Sequence, residues 1–166
     1  MKVLYISSNS DRARSLNLKH EITELQQGTY NTAGEPIKFD FLPNLTIEKL
    51  PHEIARYQPD ILHISSHGDK DALALVNSEN VCVPLTGKRL RAFLDIIPLP
   101  RLVYLNACNS QSIAEDIAKF IPMAIGTTAD IFNETAVASA AIFYSRLSRG
   151  ASVLNAFEAG KNMIET

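Results

Sequence analysis

Apolar residues fall along the chain in two rhythms, short continuous runs and runs spaced by three and four. Val3 to Ile6 is continuous and ends in Ser7-Ser8-Asn9-Ser10-Asp11, which predicts a buried strand stopping in a polar loop. From Arg14 to Gln27, Leu16, Leu18, Ile22 and Leu25 form a helical stripe, with Gly28 as its expected stop. Thr29 to Glu35 reads as a loop, and Ile37 to Leu42 alternates apolar with polar residues, as a half-exposed strand near a sheet edge does. Thr46 is the expected cap of a helix through Ile47, Leu50, Ile54 and Tyr57, with Pro51 tolerated in its first turn and Pro59 beyond its end.

Asp60 to Ser65 is the next buried run. It is followed by a polar excursion from His67-Gly68 and then by Leu73–Val76 and Val81–Pro84 around Asn77-Ser78-Glu79-Asn80, a predicted β-hairpin close to His67. Thr86 caps a helix carrying Leu90, Phe93, Leu94 and Ile97. Leu102 to Asn106 is a strand feeding a helix over Ser112 to Phe120, and Pro122 to Gly126 is another strand. Helices over Glu134 to Leu147 and from Ser152 through Ile164 complete the chain. This order, β-α-β-α-β, hairpin, α-β-α-β-α-α, predicts an α/β fold with a mostly parallel sheet and helices on both faces. The loops after Ile6, Ser65, Asn106 and Gly126 then share one rim.

Composition narrows the function classes. The 166 residues are one domain's worth, so a single core over 1–166 is expected. A 46% apolar and 20% charged composition is that of a globular chain rather than a disordered one. The net charge of −2 with no Lys/Arg block argues against nucleic acid as a partner. Two cysteines, Cys82 and Cys108, make no disulfide framework, and no Cys/His pairs fall at zinc spacing, so no metal or cofactor is expected. The first apolar run is too short for a signal peptide or a membrane span, and the expected compartment is the cytoplasm.

The rim holds the candidate chemistry. Cys108 follows one buried strand and His67 another, and one right-handed crossover would set those strands side by side. A thiol becomes a strong nucleophile when a neighbouring imidazole takes its proton. Gly68, lacking a Cβ, lets the backbone approach a substrate, and its N–H with that of Cys108 could bind an oxyanion. The pattern leaves a second reading open, in which Cys108 is a small core residue and His67 a structural histidine. His63 reads as a hydrogen-bonded core histidine, and His20 and His52 as helix-surface residues. Asp69, Asp71, Asp130 and Glu134 border the rim and double as ordinary surface or helix-start acids.

Segments in the same order as in a known family run through nearly the whole chain. They are Lys2–Asn9, Leu16–Ile22, Pro59–Gly68, Leu105–Ser110, Ala124–Gly126 and Phe143 to Phe157, with His67-Gly68 and Ala107-Cys108-Asn109-Ser110 the most specific. In these the chain resembles the CHAT domains, caspase-like cysteine peptidases grouped with separase, caspases and metacaspases. The resemblance implies a three-layer α/β/α caspase-like sandwich with a small β-hairpin after the catalytic histidine. It further implies His67 as general base, Cys108 as nucleophile, and the N–H groups of Gly68 and Cys108 as the oxyanion hole. Asp130 matches the acid that related enzymes place in the substrate pocket. Asn133 stands where many relatives carry aspartate, so both are substrate-binding candidates with the preferred residue left open. The implied activity is endoproteolysis of cytoplasmic protein substrates. It would be latent until a regulatory protein or domain switches it on, in a setting such as bacterial defence or signalling. Two alternatives remain, a catalytically silent caspase-like adaptor and, ranked lower, a receiver-like nucleotide or phosphate binder, which would need a glycine-rich loop.

Overall fold

The computed structural model describes residues 1–8, 18–29, 34, 36–95 and 98–165. The expected helix turn at 14–17, most of the 29–35 loop and the continuation of a helix to Ile97 lie outside the described residues. The chain folds as two compact units, one of Met1, 17–39 and 131–166, the other of 2–16 and 40–130.

The second unit carries the sheet. Its strands are β1 (Lys2–Ser7), β3 (Ile61–Ser65), β7 (Leu102–Asn106) and β8 (Met123–Ile125), with β2 (Lys38–Leu42) shared across the unit boundary. The order is β2-β1-β3-β7-β8, and the β1/β3, β3/β7 and β7/β8 pairs are all parallel. β2 therefore lies at the edge, as its alternating pattern predicts. One sheet face presents Leu4, Ile6, Leu62, Ile64, Val103 and Leu105 to a continuous apolar core. Into that core α2 (Leu50–Tyr57) contributes Leu50 and Ile54, α3 (Gly87–Leu94) Leu90 and Leu94, and α4 (Gln111–Ile117) Ile113 and Ile117. At roughly 1.5–3 kcal/mol for each fully buried aliphatic side chain, this face is a principal source of the unit's stability.

On the other face the register aligns Tyr5, His63 and Tyr104 in one row. The His63 ring lies parallel to Tyr104, with centroids 4.8 Å apart, and 5.0 Å from Tyr5. His63 is thus a buried core histidine, part of an aromatic stack.

Two expectations for this unit need correction. The predicted hairpin is a three-stranded ribbon, β4 (His67–Asp69), β5 (Ala72–Val76) and β6 (Cys82–Thr86), ordered β4-β5-β6. The stretch read as a polar excursion is itself a strand, because His67 pairs with Ala74 and Gly68 with Leu73. Thr46 is not the cap of α2. It forms a lone bridge with Val76, the chain turns over 46–49, and the helix begins at Leu50 behind Lys49. Pro51 in the first turn and an end just before Pro59 match the sequence signals, and the chain leaves the helix through a left-handed Gln58. The Thr86 cap also matches, its hydroxyl accepting from the Arg89 N–H at 3.2 Å.

The first unit is helical, with α1 (Leu18–Thr29), α5 (Asn133–Ser148) and α6 (Val153–Glu165). Gly28 lies inside α1 and does not end it. A Cβ there would sit 3.1 Å from the Ala141 carbonyl oxygen of α5, so the glycine serves helix packing. α5 buries Ala136, Val137, Ala140, Phe143, Tyr144 and Leu147, and Ser152 caps α6 by accepting from the Asn155 N–H. No helix among the described residues is long and apolar enough to cross a membrane.

Candidate active site

β3 and β7 are hydrogen-bonded partners, and their last paired residues are Ser65 and Asn106. Beyond that pair the two chains continue side by side, Ser66 donating its N–H to the Asn106 carbonyl at 3.3 Å. His67 and Cys108 are thus each two residues past the same rung of the sheet. The next position shows how close the two segments run. A Cβ on Gly68 would collide with the Cys108 carbonyl oxygen and would stand 3.2 Å from the Ala107 Cβ. Every other residue type is therefore excluded unless one strand moves. The glycine after His67 is what lets the His67 and Cys108 segments meet.

His67 is held as the first residue of β4, half-buried, with its backbone in the ribbon ladder and its carbonyl accepting from the Ser66 hydroxyl at 3.1 Å. Cys108 is half-buried on the turn between β7 and α4. Asn109 takes a left-handed conformation with φ 49°, which asparagine tolerates better than most residues and which reverses the chain at the thiol. Its N–H donates to the Ala129 carbonyl at 3.3 Å and its side-chain amide to the Asp130 carboxylate at 2.7 Å.

Ser110 is fully buried, and its hydroxyl donates to the Ala107 carbonyl at 2.8 Å. From the β8 side, Thr127 makes three bonds to the same turn. Its hydroxyl donates to the Ala107 carbonyl at 2.5 Å, its N–H to the Ser110 hydroxyl at 3.0 Å, and its carbonyl accepts from the Gln111 N–H at 3.0 Å. The thiol turn is therefore fixed by hydrogen bonds at positions 107, 109, 110 and 111, every one reaching back into the turn or across to 127–130.

Of the residues singled out in the sequence, His67, Gly68 and Cys108 come together at the ends of adjacent strands. Asp130 is exposed and engaged with Asn109, so it shapes the turn beside the thiol as well as offering a charge. Asn133 is the first residue of α5. Asp69 ends β4, and Glu134 lies in the first turn of α5. Thr127 was missed. Its signal in the sequence is only its place directly after the Gly126 strand end, because the bond it makes spans twenty positions and leaves no local pattern. Among the described residues no group of three or more His, Cys, Asp or Glu side chains could hold a metal ion.

Comparison with known proteins bears on the family and the fold. The family model of the CHAT domain matches residues 5–161. A protein of Gillisia limnaea described as a probable protease is 24% identical over 153 residues, covering 89% of this chain and 27% of the relative. Among solved structures, a secreted C11 cysteine protease from Bacteroides thetaiotaomicron, crystallised with an irreversible peptide inhibitor, superposes with a TM-score of 0.68 at 11% identity. It covers 95% of this chain and 56% of that one. The chain thus spans about a quarter of the curated relative and just over half of the structural one. The caspase-like α/β fold expected from the sequence is the fold found.

Proposed function

The chain belongs to the CHAT-domain family, and from that premise we propose that it is a cysteine endopeptidase acting through Cys108 and His67. The observation that carries this reading is the contact that Gly68 permits, which lays the His67 segment against the Cys108 carbonyl at the ends of two parallel strands.

In this reading His67 accepts the thiol proton as the Cys108 sulfur adds to the carbonyl carbon of a peptide bond. The carbonyl π pair moves to oxygen, and the N–H groups of Gly68 and Cys108 receive that charge. Collapse re-forms the carbonyl and breaks the C–N bond, the leaving amine taking the proton from His67. Water then adds to the thioester with His67 again as base, releasing the acid and the thiol. Asp130, exposed next to the thiol turn, and Asn133 are the substrate-binding positions in this reading, with the preferred substrate residue left open. No cofactor enters any step. We assign the substrates to cytoplasmic proteins and the control to a protein partner that switches the latent enzyme on, in a defence or signalling setting.

A mixed peptide library digested with the protein and read by mass spectrometry tests the activity. Internal cuts are expected from the native chain, slow without the switching partner, and none from Cys108→Ala, with the two proteins melting within a few degrees of each other. Cuts that persist in Cys108→Ala would remove the assignment. A partner that binds both proteins equally, with no product under any condition, would establish the adaptor in its place.

A further inference from the structure

The carbonyl just before the candidate nucleophile is held more tightly than the backbone geometry of a turn requires. Ala107 follows the last β7 residue, and its oxygen accepts two side-chain hydroxyls, Ser110 from the turn itself and Thr127 from the loop after β8. The two donors are tied to each other, because the Thr127 N–H donates to the Ser110 hydroxyl oxygen. Ser110 is fully buried and Thr127 half-buried. The network is thus a closed ring of Thr127 N–H, Ser110 hydroxyl, Ala107 carbonyl and Thr127 hydroxyl.

A peptide unit is planar and trans, and no cis bond occurs in this chain among the described residues. The Ala107 carbonyl and the Cys108 N–H belong to one such unit and point in opposite directions. Fixing the oxygen on one side fixes the N–H on the other. A donor that is aimed before the reaction begins costs no reorganisation when charge develops in front of it. From this we infer that Thr127 is a positioning residue that aims the Cys108 N–H at the developing oxyanion, with Ser110 as its second anchor. The inference rests on the peptidase reading above and adds to it the element that holds the oxyanion donor in place.

Two reactions at the same thiol separate this role from a merely structural one. Acetylation by p-nitrophenyl acetate passes through an oxyanion. The sulfur adds to the carbonyl carbon, the π pair moves to oxygen, and it returns as p-nitrophenolate leaves with the C–O bonding pair. Alkylation by iodoacetamide displaces iodide and develops no oxyanion. Both rates are measured in a Cys82→Ser background, which removes the exposed second thiol.

Thr127→Val is expected to slow acetylation by about ten- to a hundredfold, below the full effect of deleting an oxyanion donor, and to leave alkylation within about twofold. Thr127→Ser, which restores the hydroxyl, is expected to bring acetylation back. Ser110→Ala should give the same split and serves if Thr127→Val fails to fold. Acetylation at the parent rate in both variants, or equal loss of both reactions, would overturn the inference. Failure of the peptidase reading looks different, since Cys108→Ala would then acetylate as fast as its parent.

Discussion

Gly68 bears the tightest steric demand in the active-site segment. Adding one methyl at that position drives carbon into the Cys108 carbonyl oxygen, with the Ala107 Cβ at 3.2 Å closing the other side. Both neighbours are backbone-anchored, so the strain cannot be relieved by a rotamer. Gly68→Ala is expected to cost about 1–3 kcal/mol of stability, the usual range for overpacking, and to abolish Cys108 chemistry. Denaturant unfolding beside the acetylation rate checks both. At Asn109 the left-handed backbone and the bond to Asp130 act together. Asp130→Asn should therefore loosen the thiol turn as well as remove a charge, and an altered cleavage-site profile would mark the second effect. His67, Gly68 and Cys108 stood out in the sequence because each follows within a few residues of a predicted buried strand, where strand ends are easy to place. Thr127 was not, since a hydroxyl reaching a carbonyl twenty positions earlier follows no periodicity.

At the scale of elements, the same division holds. Buried strands β1 and β7 announce themselves as unbroken apolar runs, β3 as one interrupted only by His63, and the caps Thr86 and Ser152 as hydroxyls placed just before amphipathic stretches. Thr86→Ala is expected to lower stability by about 1 kcal/mol through the lost bond to Arg89 N–H, read as a shift in the denaturation midpoint. Where a polar residue has two uses, pattern fails. Thr46 looks like a cap, yet its backbone pairs with Val76, and the turn it opens is tied to the β5–β6 turn by Glu48, whose carboxylate accepts from the Ser78 N–H at 3.1 Å. Its own backbone N–H first, and that of Ser78 second, hold the Glu48 carboxyl below the ordinary glutamate value. A depressed pKa in the folded state contributes stability above the unfolded carboxylate range and loses it as pH falls through the folded value. Glu48→Gln should accordingly flatten the acid limb of the stability–pH curve, and an NMR titration of Glu48 should place its midpoint below that of a free glutamate. β4 was missed for a related reason, as three residues with one histidine, one glycine and one aspartate carry no β signature, and only pairing with β5 makes them a strand.

For the molecule as a whole, strand order decides where chemistry can occur. The sequence β2-β1-β3-β7-β8 reverses direction between β1 and β3, the position at which open α/β sheets usually gather ligands. The candidate site lies one step along, where β3 meets β7, because His67 and Cys108 follow those two strands. The molecule also carries its own control. Cys82 is exposed on β6, and Cys108 is half-buried. Accessibility alone favours Cys82 in any thiol reaction, whereas a thiol assisted by His67 favours Cys108. Limiting iodoacetamide at neutral pH, with the labelled residue identified by tandem mass spectrometry, decides between them. Cys108 is expected to be labelled first, and His67→Ala to reverse the order. Cys82 labelled first in the native chain, with His67→Ala making no difference, would overturn the pairing of Cys108 with His67.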